Sequence, residues 1–101
     1  MIGVLTHHWA KDGFLAEART LLAGNGRVQS RAPGFVLRHD LESLSDASKI
    51  SSLVVWESDE IYDRWKASPE RAVAMAGAGD LWARPPESER FTVSGRLWPS
   101  A

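Results

Sequence analysis

Residues 53–58, Leu-Val-Val-Trp-Glu-Ser, join a strand to a helix with no spare loop. The apolar, β-branched run up to Trp56 suits a buried, pleated segment. Ser58 is a helix-capping residue type, and Asp59 and Glu60 follow in the first turn, where the helix dipole favours negative charge. Ile61, Tyr62 and Trp65 then recur at helical spacing, and Glu60 and Arg64 form a favourable i,i+4 pair. Ser68-Pro69 restarts the helix, with serine as cap and proline at the first helical position. A joint this short sets the angle at which the helix leaves the sheet.

The other segments fall into place around that joint. Residues 2–9 alternate as a strand: Ile2, Val4, Thr6 and His8 on one face, Gly3, Leu5, His7 and Trp9 on the other. Asp12 is a candidate N-cap, and from Phe14 the period becomes helical up to residue 32. Within that helix Gly24-Asn25-Gly26 implies either a bend or a packing need for small residues. Pro33-Gly34 stops it. Residues 35–41 alternate, with Phe35, Leu37, His39 and Leu41 on one face and Val36, Arg38 and Asp40 on the other. A short polar connection makes them a hairpin with residues 49–56. Residues 77–89 have no period and contain Pro85 and Pro86, so they read as a cover or a loose connection. Residues 90–98 read as the last strand. The order is βαββαβ, an α+β, ferredoxin-like four-stranded antiparallel sheet with both helices on one face. It forms a single domain over residues 1–98, with 99–101 as a tail.

Helices on one face leave the other face of the sheet open. The run Leu53-Val54-Val55-Trp56 does not alternate, and Leu5 and Trp9 are apolar on the face opposite Ile2 and Val4, so the open face would carry an exposed patch, which predicts sheet-to-sheet association as a homodimer. Interspersed charges and a net charge of −1 argue against nucleic acid as partner. No apolar run approaches the ~20 residues of a membrane helix, so no membrane role is expected. The chain has no cysteine, which removes thiolate chemistry and agrees with a cytoplasmic location.

The block from Leu53 through Trp56, Glu57-Ser58, Tyr62, Trp65 and Ser68-Pro69, preceded by the turn Pro33-Gly34-Phe35, resembles the antibiotic biosynthesis monooxygenase (ABM) family. The resemblance covers about residues 2–97. It implies a dimeric α+β barrel with a pocket between the sheet and helices of each subunit. Members of that family include oxygenases that act on anthrones or quinols without metal or flavin, and haem-degrading proteins. The first type implies no cofactor, with dioxygen and a small aromatic molecule as partners. Carried over residue by residue, the pocket tryptophan is Trp56 and the helix tyrosine is Tyr62. The family's strand asparagine is replaced by Ser52. Its basic helix residue falls near Met75, as does the haem-ligating histidine of the haem degraders, whose tryptophan matches Trp65.

The expected activity is a small cofactor-independent monooxygenase acting on an aromatic or quinol-like molecule. A non-catalytic binding or accessory protein on the same fold is the alternative, and haem binding or degradation is a further one. The catalytic candidates are His8, Ser52 and Tyr62. The pocket candidates are Trp56, Trp65, His39, Met75 and Trp82, the last as a closing residue. His7 and His8 point to opposite faces of a strand, and the three histidines lack the convergent spacing of a metal site, so none is expected.

Overall fold

The computed structural model describes residues 1–94. Four strands, β1 (Ile2–Ala10), β2 (Phe35–Glu42), β3 (Lys49–Trp56) and β4 (Trp82–Thr92), form one antiparallel sheet in the order β2-β3-β1-β4. Helices α1 (Leu15–Gln29), α2 (Asp59–Lys66) and α3 (Pro69–Ala74) pack on one face. The predicted ferredoxin-like α+β architecture is therefore present.

Local chemistry sets the element ends. Ser58 Oγ accepts from the Ile61 amide at 3.2 Å and caps α2. Ser68 Oγ accepts from the Arg71 amide at 3.2 Å and donates to the Trp65 carbonyl at 2.7 Å, so one serine closes α2 and opens α3. Gly34 has φ +81°, and a Cβ there would lie 2.6 Å from Ile61 Cγ2. Only glycine lets the α1–β2 turn pass this close beneath α2.

Helix α1 departs from its expectation at both ends. It starts after Phe14, with no side-chain cap, so Asp12 does not cap it, and it ends at Gln29 rather than 32. It runs unbroken through Gly24–Gly26. The small residue has a packing reason: a Cβ at Gly26 would approach Arg38 Nε to 3.0 Å, so Gly26 lets the Arg38 side chain lie across the helix.

Two strands contain bulges that the alternation did not reveal. Phe35 pairs with Trp56 but Leu37 pairs with Val55, so Val36 is an extra residue. Phe35 therefore packs toward the helices with the core, and Leu37, His39 and Leu41 turn to the open face. Arg38 and Asp40 take the helix side, opposite Val54 and Ser52. The fourth strand also differs. It begins at Trp82, so most of the expected 77–89 cover is strand, apart from a 3₁₀ turn at Ala78–Asp80. Prolines fit because β4 is an edge strand. His7 pairs with Glu87 and Trp9 with Arg84, which sets Pro85 and Pro86 together against His8 as a bulge. Of the expected strand over 90–98, residues 95–98 lie outside the described residues.

The core has two parts. Val4, Val54, Trp56 and Trp65 form one cluster; Ala10, Ala18, Leu22 and Ile50 form the other. Between them the helix-facing side of the sheet is polar. The register aligns Asp40, Ser52, Thr6 and Ser88 as one row across all four strands. Such a row under a helix layer needs partners for its polar groups or a cavity above it.

Candidate functional site

Ser52, Thr6 and Ser88 of the polar row form the floor of a cavity of about 410 Å³. Thr6 and Ser52 lie at its base, and Thr6 Oγ1 is 3.0 Å from Ser88 Oγ. α1 supplies one wall through Leu22, Asn25 and Gln29. These continue the face that buries Ala18, at spacings of four, three and four residues. α2 and α3 close the top with Tyr62, Trp65, Lys66, Arg71 and Met75. Trp82 and Pro86 of β4 complete the enclosure.

His8 is buried in this wall, and its ring packs against Trp82 at a tilt of 39° with centroids 4.5 Å apart. The two bulges in β4 aim Trp82 there, because it pairs with Ala10 rather than continuing the register from His7. Burial lowers the His8 pKa to about 4, and the Arg38, Arg71 and His7 charges add to the effect. At neutral pH His8 is therefore an uncharged imidazole able to accept a proton. Tyr62 behaves differently. Burial raises its pKa, with Arg90 and Arg71 opposing, so its phenol keeps its proton and donates.

Arg38 is fixed from both sides. Its Nε donates to Asp40 Oδ1 at 2.9 Å and its Nη1 to Gln29 Oε1 at 2.8 Å. Arg71 makes no side-chain hydrogen bond or ion pair among the described residues. Asn25 is 7% exposed, and its Oδ1 has no hydrogen-bond partner among them either.

The cavity brings together His8, Ser52, Tyr62, Trp65, Met75 and Trp82 of the sequence-predicted residues. Two stand elsewhere. Trp56 is fully buried behind the wall, against Phe35 at 5.8 Å, Tyr62 at 5.9 Å and Trp65 at 6.0 Å between ring centroids. It backs the pocket residues rather than meeting a ligand. His39 pairs with Leu53 on the open face, because the bulge at Val36 reverses the side it faces. Trp82 is a strand residue packed on His8 rather than part of a loop. Asn25, Gln29 and Arg71 were missed by sequence reasoning, and Arg38, a candidate anchor for an anion, was not placed in the pocket. The signal for the first two was present: polar side chains at positions 25 and 29 interrupt the apolar face of an amphipathic helix.

A second cavity of about 460 Å³ lies on the far side of Trp65, walled by Val28, Pro33 and Ile61. It is lined by Arg31, Arg64 and Glu70 but contains no histidine or tyrosine and touches no strand, so the imidazole and the phenol lie in the first. Among the described residues no three His, Cys, Asp or Glu side chains converge as a metal site would require. No described helix is long and apolar enough to cross a membrane.

A one-sided ferredoxin-like sheet with a polar-floored cavity beneath its helices defines a small-molecule pocket protein. The sequence profile of the antibiotic biosynthesis monooxygenase family matches residues 1–77, and the chain belongs to that family. Solved structures agree in fold. A putative antibiotic biosynthesis monooxygenase from Deinococcus radiodurans superposes with a TM-score of 0.88 at 16% identity, with 100% of each chain covered. A variant of SnoaB, a cofactor-independent oxygenase from Streptomyces nogalater, gives 0.82 at 21% identity over 95% of each chain. A putative family member from Nitrosomonas europaea gives 0.82 at 15% identity, covering 97% of this chain and 100% of its own. No curated protein matches the chain in sequence.

Proposed function

We propose that this protein is a cofactor-independent monooxygenase that oxidises an electron-rich aromatic, quinol- or anthrone-like molecule with dioxygen. The observation that carries the reading is a neutral, buried His8 at the edge of a polar floor, enclosed by Tyr62, Trp65 and Trp82. Family membership and the description of SnoaB as a cofactor-independent oxygenase support it.

The chemistry follows from those groups. His8 takes a proton from an activated substrate methylene, and the electron pair stays on carbon, delocalised into the aromatic system. Arg38 and Arg71 stabilise the resulting anion in a partly dry site. The anion passes an electron to dioxygen, and the two radicals join as a peroxide. His8 returns its proton to the terminal peroxide oxygen. Loss of water then leaves a carbonyl, so one oxygen atom enters the product and the other leaves as water. Tyr62 donates its phenolic hydrogen bond to the substrate oxygen.

Oxygen consumption with a panel of reduced anthrones and quinols tests the proposal. Uptake above background is expected, and His8→Gln is expected to lower it by about 10²-fold or more, the range of general base catalysis. Folded protein that consumes no oxygen across the panel sinks the reading.

We further propose that two copies associate through the open sheet face. Leu5, Leu37 and Leu53 lie half-buried there, and Leu41 and Phe91 are exposed beside them.

A further inference from the structure

We infer that the cavity selects an aromatic molecule carrying a carboxylate, held by Arg71 and Arg38, with a ligand hydroxyl or amide hydrogen bonded to Asn25. The inference rests on the reading above only in taking this cavity as the substrate site.

Three observations carry it. The first is charge. Arg38, Arg71 and Lys66 line the cavity, and no aspartate or glutamate does. Asp40 partners Arg38 from outside the lining. Arg71 pairs with no carboxylate among the described residues, and the Lys66 ammonium sits 5.8 Å from the Tyr62 ring centroid. Arg71 and Lys66, paired with no carboxylate among the described residues, leave this partly enclosed space with positive charge that attracts an anion.

The second is preorganisation. Gln29 and Asp40 use two of the Arg38 donors and hold the guanidinium against α1, where Gly26 leaves room for it. Its side chain is only 9% exposed. The remaining donors of its planar fork suit the two oxygens of a carboxylate. Arg38 and Arg71 both line the cavity.

The third is the orphaned amide. The Asn25 side-chain oxygen is buried with no hydrogen-bond partner among the described residues, and a buried acceptor of this kind is stabilised by a donor. Asn25 occupies α1, across the cavity from Ser52, and Arg71 lies one helical turn before Met75. An amide and a guanidinium are thus present although positions 52 and 75 lack them.

The test is binding without turnover. Anthraquinone-2-carboxylate and its neutral 2-hydroxymethyl analogue are titrated anaerobically, read by quenching of tryptophan fluorescence. The carboxylate is expected to bind about tenfold or more tightly, the increment of a charge-assisted hydrogen bond. Arg71→Met is expected to abolish that preference, weakening the carboxylate far more than the neutral analogue, and Arg71→Lys to restore part of it. Asn25→Leu probes the amide: it should weaken a 1-hydroxy derivative of the carboxylate more than the parent. Equal binding of both probes to the unmodified protein, or equal loss of both in Arg71→Met, overturns the inference and leaves the oxygenase reading standing. Binding of the carboxylate with no oxygen uptake from the reduced panel supports the inference and sinks the oxygenase reading. Binding of neither probe overturns the inference.

Discussion

On the proposed reading, His8 ties function to stability through a single imidazole. Its ring is buried against Trp82, with Arg38 approaching from β2, Arg71 from α3 and His7 from its own strand. No carboxylate among the lining residues offsets those cations. Its pKa falls from the ordinary 6.5 to about 4 on folding. The unfolded chain therefore binds the proton more readily than the folded one. The sign follows: His8 costs nothing above pH 6.5, and stability falls as pH drops from 6.5 through 4. The full effect is about 3 kcal/mol. Urea midpoints measured between pH 7.5 and 4 should fall accordingly, and His8→Gln should flatten that part of the profile. An unchanged slope in the variant would mean that other groups carry the acid sensitivity. If the proposed activity holds, His8 stays available as a base in the same window, so oxygen uptake should persist well below pH 6.

At the scale of elements, the short connections are as constrained as the core. Gly34 combines φ +81° with a Cβ position 2.6 Å from Ile61 Cγ2, and its carbonyl accepts from the Glu57 amide at 2.9 Å. Gly34→Ala should therefore destabilise by about 2–4 kcal/mol, through both backbone strain and overlap. Adding Ile61→Ala should recover the steric part, so the two changes should be strongly non-additive in chemical denaturation. Additive losses would place the whole cost in the backbone. This turn was legible from Pro33-Gly34, as was the joint at Trp56–Ser58, because capping and turn chemistry act over a few residues. The bulges were not. Val36 and the Pro85-Pro86 pair become extra residues only through the partner strand, and a local pattern of alternation carries no record of its partner. That is why His39 was expected in the pocket and Arg38 was not. The polar wall of α1 lay between these extremes. Asn25 and Gln29 sit on the same stripe as Ala18 and Leu22, so the pattern pointed to a buried face with amides in it. What those amides met could be read only once β2 had brought Arg38 across Gly26.

Among the described residues, one face of the sheet is covered and the other is open. Helices cover the side that holds both core clusters and the cavity. On the other side Trp9 is flanked by the Arg84 guanidinium at 3.8 Å and the Lys49 ammonium at 5.7 Å, while Leu41 and Phe91 remain 43% and 45% exposed. Glu87 and Glu89 share that face with Arg84, so its border carries both signs and can meet a copy of itself in a two-fold arrangement. An apolar centre with a mixed charged rim is the usual anatomy of such a contact. If two copies close there, light scattering at micromolar concentration should give a mass of twice 11.1 kDa. Leu53→Asp, at the centre of the face, should shift the species to a monomer, because it buries an unpaired carboxylate twice in a symmetric interface. The cavity lies on the opposite side of the sheet, so the same variant should still bind the aromatic carboxylate probe. Loss of the dimer with binding retained would separate the two faces as independent devices. Loss of both would make the sheet a shared wall, its floor of Thr6 and Ser52 held in register only when the face behind it is covered.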